Sequence, residues 1–274
     1  GLTQINLPKG LTSLDSSFVN SSEVGNLYLP SSLRSSNNAF LNMTKLENVY
    51  YNGTFNDWLN ILFTSFESNP MAYAKNLYVL DNDNNHVLVE NINIPSNIDT
   101  IGSYQLAGLN VQEVVIPNTV TYIGEGAFKK LSATNIYYDA DITEGLSLVF
   151  AGTNGDLVIG KNVTIISNSM FRNSNLVNVS FEENSSCTTI KSYAFLECTK
   201  LVSLQIPSSV TTIEKTALFG CSNLVTLEIP FTGISQTATA ASKDSLFGVI
   251  FGTTTFDNGV QIKQYYNSSS YIYA

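Results

Sequence analysis

The sequence LVSLQIPSSVTTIEKTALFGC occupies Leu201–Cys221 and has two clear copies upstream. One copy, LVNVSFEENSSCTTIKSYAFLEC, covers Leu176–Cys198, and the other, VQEVVIPNTVTYIGEGAFKKL, covers Val111–Leu131. With small insertions and single-residue departures, all three share the pattern L-x-x-V-x-I-P-x-x-V-x-x-I-x-x-x-A-F-x-x-C. Prolines keep a similar period elsewhere, since Pro8 and Pro30 are 22 residues apart. Self-similarity at a fixed period of this length indicates a repeat architecture.

Ten units of this kind can be counted along the chain, although some are degenerate. Gln105–Leu106, for example, stands where other units have Ala-Phe. We interpret residues 1–274 as one continuous solenoid of about ten repeats, with insertions at about 52–86 and 231–264. Neither end carries a polar cap, so we expect the chain to be a piece of a longer protein. The leading L-x-x-V-x-I segments begin near Leu2, Val24, Leu46, Val89, Val111, Ala133, Asn154, Leu176, Leu201 and Leu224.

The alternation within L-x-x-V-x-I predicts a short strand that is buried on one face. Leu204 and Ile206 would then point inward, and Ser203 and Gln205 outward. The proline ends the strand because it lacks a backbone donor, and Ala-Phe is expected in a tight turn or short helix on the opposite wall. No unit of about 23 residues can bury such a face alone, so the units must stack into a parallel sheet.

The composition argues against several classes of protein. The chain has 274 residues, of which 43% are hydrophobic and 13% charged, and its formal net charge is −9. An acidic chain lacks the basic stripe of a nucleic-acid-binding protein, and no run of 18 apolar residues predicts a membrane-spanning helix. Because there is a single histidine and no C-x-x-C pair, the sequence predicts neither a metal site nor a cofactor.

The three cysteines, Cys187, Cys198 and Cys221, are expected to be reduced and buried. Cys198 and Cys221 occupy the same position in successive repeats, so we expect them to stack inside the solenoid. Their side chains should point inward in parallel, which predicts no bridge between them.

The two insertions carry their own patterns. In the first, Phe55, Trp58, Leu59, Leu62 and Phe63 are spaced as one face of an amphipathic helix, with a capping box between Thr54 and Asp57. Leu77–Leu80 and Val87–Val89 flank a polar run that predicts a hairpin turn. In the second, the apolar run Leu246–Phe251 is expected to replace a missing Ala-Phe wall.

Two acidic segments invite a chemical interpretation, but plain turns and loops explain them better. Asp81–Asn85 resembles part of a calcium loop, yet His86 stands where that loop requires glycine. Glu182 and Glu183 are adjacent, so their side chains point apart, whereas glycoside hydrolysis needs convergent carboxylates. His86 has no local nucleophile or orienting acid, so a surface position without catalysis is expected.

The outward side of the strands is the more informative surface, because Asn and Tyr dominate it and Lys and Arg are absent. Such a face is either a polar sheet surface that keeps the protein soluble or a recognition surface. Tyrosine offers rigid contact area with a polar tip, and asparagine offers adaptable hydrogen bonds. The ligand-binding residues that this pattern predicts are Tyr28, Tyr50, Tyr137, Asn26, Asn48 and Asn135.

The repeat at Leu201–Cys221 and its copies resemble the BspA-type leucine-rich repeat, also called the Treponema-type repeat. The insertion is similar as well, with GTFNDWLNI at Gly53–Ile61, SNP at Ser68–Pro70 and LYV at Leu77–Val79. The resemblance implies a right-handed leucine-rich-repeat solenoid, a β-rich α/β horseshoe-like fold. Its parallel sheet would lie on one face, with short helical turns or loops on the other.

The same resemblance implies an extracellular location, either secreted or on a bacterial cell surface. We therefore expect a non-enzymatic module that binds or adheres to an extracellular protein or glycan. The alternative is a spacer or stalk that projects another domain and has no ligand of its own.

Overall fold

The computed structural model describes residues 1–142, 148–239, 242–253, 263–265 and 270–273. Within these ranges the chain forms short strands, a single-turn helix α1 (Phe55–Trp58) and several 3-10 turns. The strands of the first half are β1 (Gln4–Asn6), β2 (Ser13–Asp15), β3 (Asn26–Pro30), β4 (Ser35–Asn37), β5 (Asn48–Asn52), β6 (Leu62–Phe63), β7 (Asn76–Leu80), β8 (His86–Leu88), β9 (Asn91–Asn93), β10 (Thr100–Ile101) and β11 (Glu113–Ile116). Those of the second half are β12 (Tyr122–Ile123), β13 (Ser132–Tyr138), β14 (Asn154–Ile159), β15 (Ile165–Ile166), β16 (Asn175–Phe181), β17 (Thr189–Ile190), β18 (Ser203–Gln205), β19 (Thr212–Ile213), β20 (Thr226–Glu228), β21 (Lys263–Tyr265) and β22 (Tyr271–Tyr273).

The leading strands of the repeats line one side of the molecule and form two sheets. The five-stranded sheet has the order β1-β3-β5-β7-β8, and the seven-stranded sheet runs from β9 through β11, β13, β14, β16 and β18 to β20. All pairs are parallel except β7 with β8, and neighbours pair at equivalent repeat positions, such as Ile5 with Leu27 and Leu27 with Val49. The register is irregular only where β14 pairs with β13 and with β16. These apolar positions are buried in one continuous core. The predicted parallel-strand solenoid is therefore confirmed.

The opposite wall consists of tight turns, with short parallel ladders such as β15-β17-β19 beside them. Phenylalanines from successive turns stack inside this wall, with centroids 4.8 Å apart for Phe128 and Phe150 and 5.3 Å apart for Phe171 and Phe195. Backbone bonds join the turns, as where the Phe171 N–H donates to the Ala194 carbonyl at 2.9 Å. Alanine lets the backbones approach closely and phenylalanine fills the interior, as the repeat pattern predicts.

A ladder of small polar side chains runs beside the stacked phenylalanines and includes two of the cysteines. Cys198 Sγ donates to the Phe171 carbonyl at 3.0 Å, and Cys221 Sγ donates to the Phe195 carbonyl at 3.2 Å. Two turns before Cys198, Thr153 makes the equivalent bond to the Phe128 carbonyl. Cys187, Cys198 and Cys221 are buried free thiols. The side chains at this position therefore satisfy wall carbonyls that lie away from water.

The first insertion only partly follows its predicted pattern. The capping box is present, because Thr54 Oγ1 accepts from the Asp57 N–H and Asp57 Oδ2 accepts from the Thr54 N–H. The helix ends after Trp58, however, and Leu62–Phe63 forms strand β6 against β4 instead of a second helical turn. Leu62 is 57% exposed, so its predicted place on the apolar face of a helix was wrong. Strand pairing with the neighbouring repeat overrides the local helical pattern at this point.

Part of the same range is a repeat strand. Strand β7 pairs in parallel with β5, although the sequence placed Asn76–Leu80 inside an insertion. After β7 the chain makes the predicted antiparallel hairpin with β8 and passes directly to β9. The repeat that begins at β7 therefore has no turn of its own on the opposite wall. Consequently the wall segment at residues 66–72 packs against the segment at residues 104–108, which belongs to the repeat of β9.

The second insertion supplies the wall turn that the sequence predicted. A 3-10 turn at Phe247–Ile250 continues the series, because the Leu218 N–H donates to the Ile250 carbonyl at 2.9 Å. Val249 and Ile250 are buried there. Residues 240–241 and 254–262 of the predicted insertion lie outside the described residues.

Candidate binding surface

Four of the six residues predicted for ligand binding come together on the five-stranded sheet. In-register parallel strands place equivalent positions side by side, about 4.8 Å apart. Two columns result, and both are half-buried on the outward face of the sheet. We name them the tyrosine column, formed by Tyr28, Tyr50 and Tyr78, and the asparagine column, formed by Asn26, Asn48 and Asn76.

The tyrosine column is a continuous stack of rings. The Tyr28 and Tyr50 centroids are 4.5 Å apart with an interplanar angle of 11°, and the Tyr50 and Tyr78 centroids are 4.7 Å apart at 15°. Partial burial, and then the neighbouring phenols Tyr28 and Tyr78, raise the pKa of Tyr50. Because both faces of the Tyr50 ring are covered by other rings, only the edge and the hydroxyl group of Tyr50 remain for other contacts.

The asparagine column is a chain of amide hydrogen bonds. Asn48 Nδ2 donates to Asn26 Oδ1, and Asn76 Nδ2 donates to Asn48 Oδ1, both at 2.9 Å. A primary amide has two N–H donors, and these bonds use one from each donating residue. The chain therefore fixes the amide orientations and leaves a second N–H on each amide for a ligand.

Tyr137 and Asn135 lie on the other sheet, apart from these columns. Along the seven-stranded sheet, Tyr137 has Val115 and Val158 as its register partners, so no aromatic stack forms. Its hydroxyl donates to Glu182 Oε2 at 2.7 Å. Partial burial, followed by this bond to Glu182, raises the pKa of Tyr137. The hydroxyl of Tyr137 is therefore engaged within the protein.

The sequence did not lead us to place Asn76, Tyr78 or His86 on the binding surface, because all three fell inside or at the edge of the predicted insertion. The signal was present in the letters: NLYLP at residues 26–30 and NVYYN at 48–52 recur as NLYVL at 76–80. His86 belongs to the hairpin strand β8, and its ring meets Tyr50 edge-on with centroids 5.4 Å apart.

Two hollows flank the columns at opposite ends of the strands. At the amino ends, a hollow of about 520 Å³ is lined by residues that include Glu23, Lys45, Glu47 and Lys75. Its lysines are paired, with Lys45 Nζ 2.8 Å from Glu23 Oε2 and Lys75 Nζ 3.2 Å from Glu47 Oε1. At the carboxyl ends, a second hollow of about 460 Å³ has no aspartate or glutamate in its lining.

The two acidic segments are turns and loops, as expected. Asp81 Oδ1 accepts the backbone N–H groups of Asp83 and Asn85 at 2.9 and 2.8 Å, which closes the hairpin turn. Glu182 binds Tyr137 and the Lys161 N–H. Among the described residues, no group of three or more His, Cys, Asp or Glu side chains could hold a metal ion. The same part of the chain contains no helix long and apolar enough to cross a membrane.

Comparisons with known proteins place these features in a family. No curated protein matches the chain. Among solved structures, the chain is similar to a leucine-rich repeat protein from Bacteroides ovatus ATCC 8483, with 17% identity and a TM-score of 0.45. That match covers 81% of this chain and 59% of the other, so the chain spans less than two thirds of the Bacteroides protein.

Two further structures show similarity of the same kind. A leucine-rich repeat protein from Eubacterium ventriosum ATCC 27560 shares 14% identity, with 89% of this chain and 87% of that chain covered and a TM-score of 0.42. A leucine-rich cell surface protein from Faecalibacterium prausnitzii A2-165 shares 14% identity, with 83% and 87% covered and a TM-score of 0.25.

The family model described as the BspA type leucine-rich repeat region matches in six copies, over residues 1–84, 84–185 and 149–265. These matches extend over nearly the whole chain and coincide with the stacked strands and wall turns of the structure. The chain therefore belongs to the family of BspA-type leucine-rich repeat proteins.

Proposed function

We propose that the chain is a non-enzymatic binding or adhesion module of a secreted or cell-surface bacterial protein, and that it binds an extracellular protein or glycan. The observation that carries this proposal is the continuous tyrosine column beside the asparagine column. The binding surface includes the predicted residues Tyr28, Tyr50, Asn26 and Asn48, together with Tyr78 and Asn76. Tyr137 and Asn135 form a separate, secondary contact on the other sheet.

Both columns hold their side chains rigidly. Each tyrosine is held by its neighbours in the stack, and each amide is held by its hydrogen bonds, so little side-chain entropy is lost when a ligand binds. Tyrosine also gives large contact area at low entropic cost, which is why it is enriched where proteins bind other molecules. A polar surface that served only for solubility needs no such order.

The test compares a column variant with a matched control. The variant combines Tyr28→Ala, Tyr50→Ala and Tyr78→Ala, and the control combines Tyr122→Ala and Tyr193→Ala, two exposed tyrosines away from the column. Each is screened, beside the parent, against immobilised extracellular matrix proteins and glycans. The column variant should lose affinity at least about tenfold, as expected when binding hot spots are removed, and the control should bind like the parent.

Two outcomes would overturn the proposal. If the column variant binds as well as the parent, the binding surface lies elsewhere. If neither the parent nor the control binds any protein or glycan, the spacer alternative is favoured. That alternative is supported by the seven-stranded sheet. Its successive outward positions are Val115, Tyr137, Val158 and Ser180, which form no continuous column.

A further inference from the structure

The hollow at the carboxyl ends of strands β1, β3, β5 and β7 differs from its counterpart in charge. Its lining includes Lys9 and His86, the hydroxyl residues Ser31 and Ser32, and the amide of Asn52, and it contains no carboxylate. We call this site the basic hollow. The rest of its lining is neutral and includes the apolar residues Pro30 and Leu80. In a chain with a formal net charge of −9, a hollow that contains a lysine and no carboxylate is a local reversal of the surface charge.

The lysine of the basic hollow is uncompensated, unlike the lysines at the other end of the strands. Lys45 and Lys75 are each paired with a glutamate, whereas Lys9 forms no salt bridge within the described residues. The carboxylate of the neighbouring Asp81 accepts hydrogen bonds from backbone N–H groups of the hairpin turn. The hydrogen bonds from the Asn85 backbone, ahead of that from Asp83, lower the pKa of its carboxyl group. Lys9 and His86 therefore remain available to an acidic group from outside.

The basic hollow is continuous with the tyrosine column. His86 lines the hollow and also packs edge-on against Tyr50, the middle ring of the column, with centroids 5.4 Å apart and an interplanar angle of 74°. A ligand that lies across the column therefore reaches Lys9 and His86 at the end of the strands.

We infer that the basic hollow binds the carboxylate of an aspartate or glutamate in a polypeptide that lies across the tyrosine column. This inference rests on the proposed function and names the class of its ligand. Lys9 supplies the positive charge, and His86, Ser31 and Asn52 supply hydrogen-bond donors for the second carboxylate oxygen and its neighbours.

A polypeptide fits the column better than an acidic glycan does. Both faces of Tyr50 are covered by other rings, at centroid distances of 4.5 and 4.7 Å, so no sugar ring can stack on it. The exposed hydroxyls and the remaining amide N–H groups suit the C=O and N–H groups of an extended peptide backbone.

The test uses a capped pentapeptide with one central glutamate and a second pentapeptide with glutamine in its place. Each is titrated into isotope-labelled protein, and NMR shift changes are followed at Lys9 and His86. The glutamate peptide should shift both residues and bind at least about tenfold more tightly than the glutamine peptide, because only the former brings a charge to the site. Raising the salt concentration should reduce this difference.

Matched variants locate the effect. Lys9→Gln combined with His86→Gln should abolish the preference for glutamate, whereas Lys75→Gln, which removes a paired lysine at the other hollow, should leave it intact. Equal binding of the two peptides, or an equal effect of Lys75→Gln, overturns the inference. Shifts at Lys9 and His86 with glucuronic acid oligosaccharide, but not with the glutamate peptide, also overturn it in favour of an acidic glycan.

The outcome is distinguishable from a failure of the proposed function. If the column variant loses its extracellular ligand while Lys9→Gln with His86→Gln keeps it, the column is the binding site and the carboxylate inference fails. If the glutamate peptide binds at the basic hollow but the column variant retains all binding to proteins and glycans, the proposed role of the column fails instead.

Discussion

The five-stranded and seven-stranded sheets are made from the same repeat, yet only the first carries an ordered aromatic column. At the equivalent outward position, the first sheet has Tyr28, Tyr50 and Tyr78 in succession, whereas Tyr137 stands between two valines. The inward positions of both sheets remain uniformly apolar. The difference teaches that the core specifies the solenoid and that single outward positions, repeated in register, specify the binding surface.

The two regions are joined by a buried polar contact on the opposite wall. Because the repeat of β7 lacks a wall turn, the insertion fills the gap with Trp58 and Asn69. Trp58 Nε1 donates to the Gln105 carbonyl at 3.0 Å, and Asn69 Nδ2 donates to the Tyr104 carbonyl at 2.7 Å. Side-chain donors thus replace the backbone bonds that connect other wall turns.

The largest expected effect comes from breaking this buried contact of Trp58 and Asn69 with residues 104–105, which we call the joint, by Trp58→Ala. Trp58 is fully buried, and its ring contacts Tyr51 and Phe63. Its removal should cost about 3–5 kcal/mol, as for other large-to-small changes in a core. Hydrogen exchange should show loss of protection on both sides of the joint, because repeats are stabilised by their nearest neighbours.

Phe195→Ala, a change of similar size in the part of the opposite wall that faces the seven-stranded sheet, is the matched control for Trp58→Ala. It should release protection around the seven-stranded sheet and leave β1–β5 protected. If the two variants gave the same exchange pattern along the whole chain, the solenoid would unfold as one unit and the division into two regions would have no energetic meaning.

The next effect comes from restoring the consensus residue at Gln105. Gln105 occupies the alanine position of the repeat, but its buried amide donates to the carbonyls of Leu59 and Ile61 and accepts from the Gly102 N–H. Gln105→Ala should therefore destabilise the protein by about 2–3 kcal/mol, since buried polar groups lose their partners. Chemical denaturation measures this loss. A gain in stability would show that the consensus alanine stabilises the turn by more than the buried hydrogen bonds of Gln105 do.

Gln105 also illustrates what sequence alone could and could not predict. The 22-residue period predicted the sheet, the wall turns and the stacked cysteines, because each follows from a local pattern repeated in register. The partner of Gln105 could not be predicted, because Gln105 and Leu59, 46 positions apart in the sequence, are brought together only by the missing wall turn. Tyr78 was missed for a related reason, since its repeat keeps the strand pattern but lacks the Ala-Phe half.

A smaller effect is expected within the tyrosine column itself. Tyr50→Ala removes two stacked contacts from a half-buried position, and aromatic pairs contribute about 0.5–1.5 kcal/mol beyond their buried area. We expect a loss of about 1–2 kcal/mol, and less for Tyr137→Ala, which has no aromatic register partner. Thermal unfolding of both variants measures the difference, and equal losses would show that the column is not a cooperative stack.

The smallest effect concerns the ionisation of Tyr137 and Tyr50, whose pKa values are raised by different contacts on the two sheets. Burial and the bond to Glu182 raise the pKa of Tyr137, and burial with two phenol neighbours raises that of Tyr50. A raised pKa means that the folded protein holds the phenol proton more tightly. This contribution to stability is present below the unfolded value of about 10 and is lost as the pH rises above it. Glu182→Gln should lower the pKa of Tyr137 and leave the pKa of Tyr50 unchanged. NMR of ring-labelled tyrosines, recorded as a function of pH, measures both values. If both resonances moved together, the Glu182 bond would not be the feature that separates Tyr137 from the column.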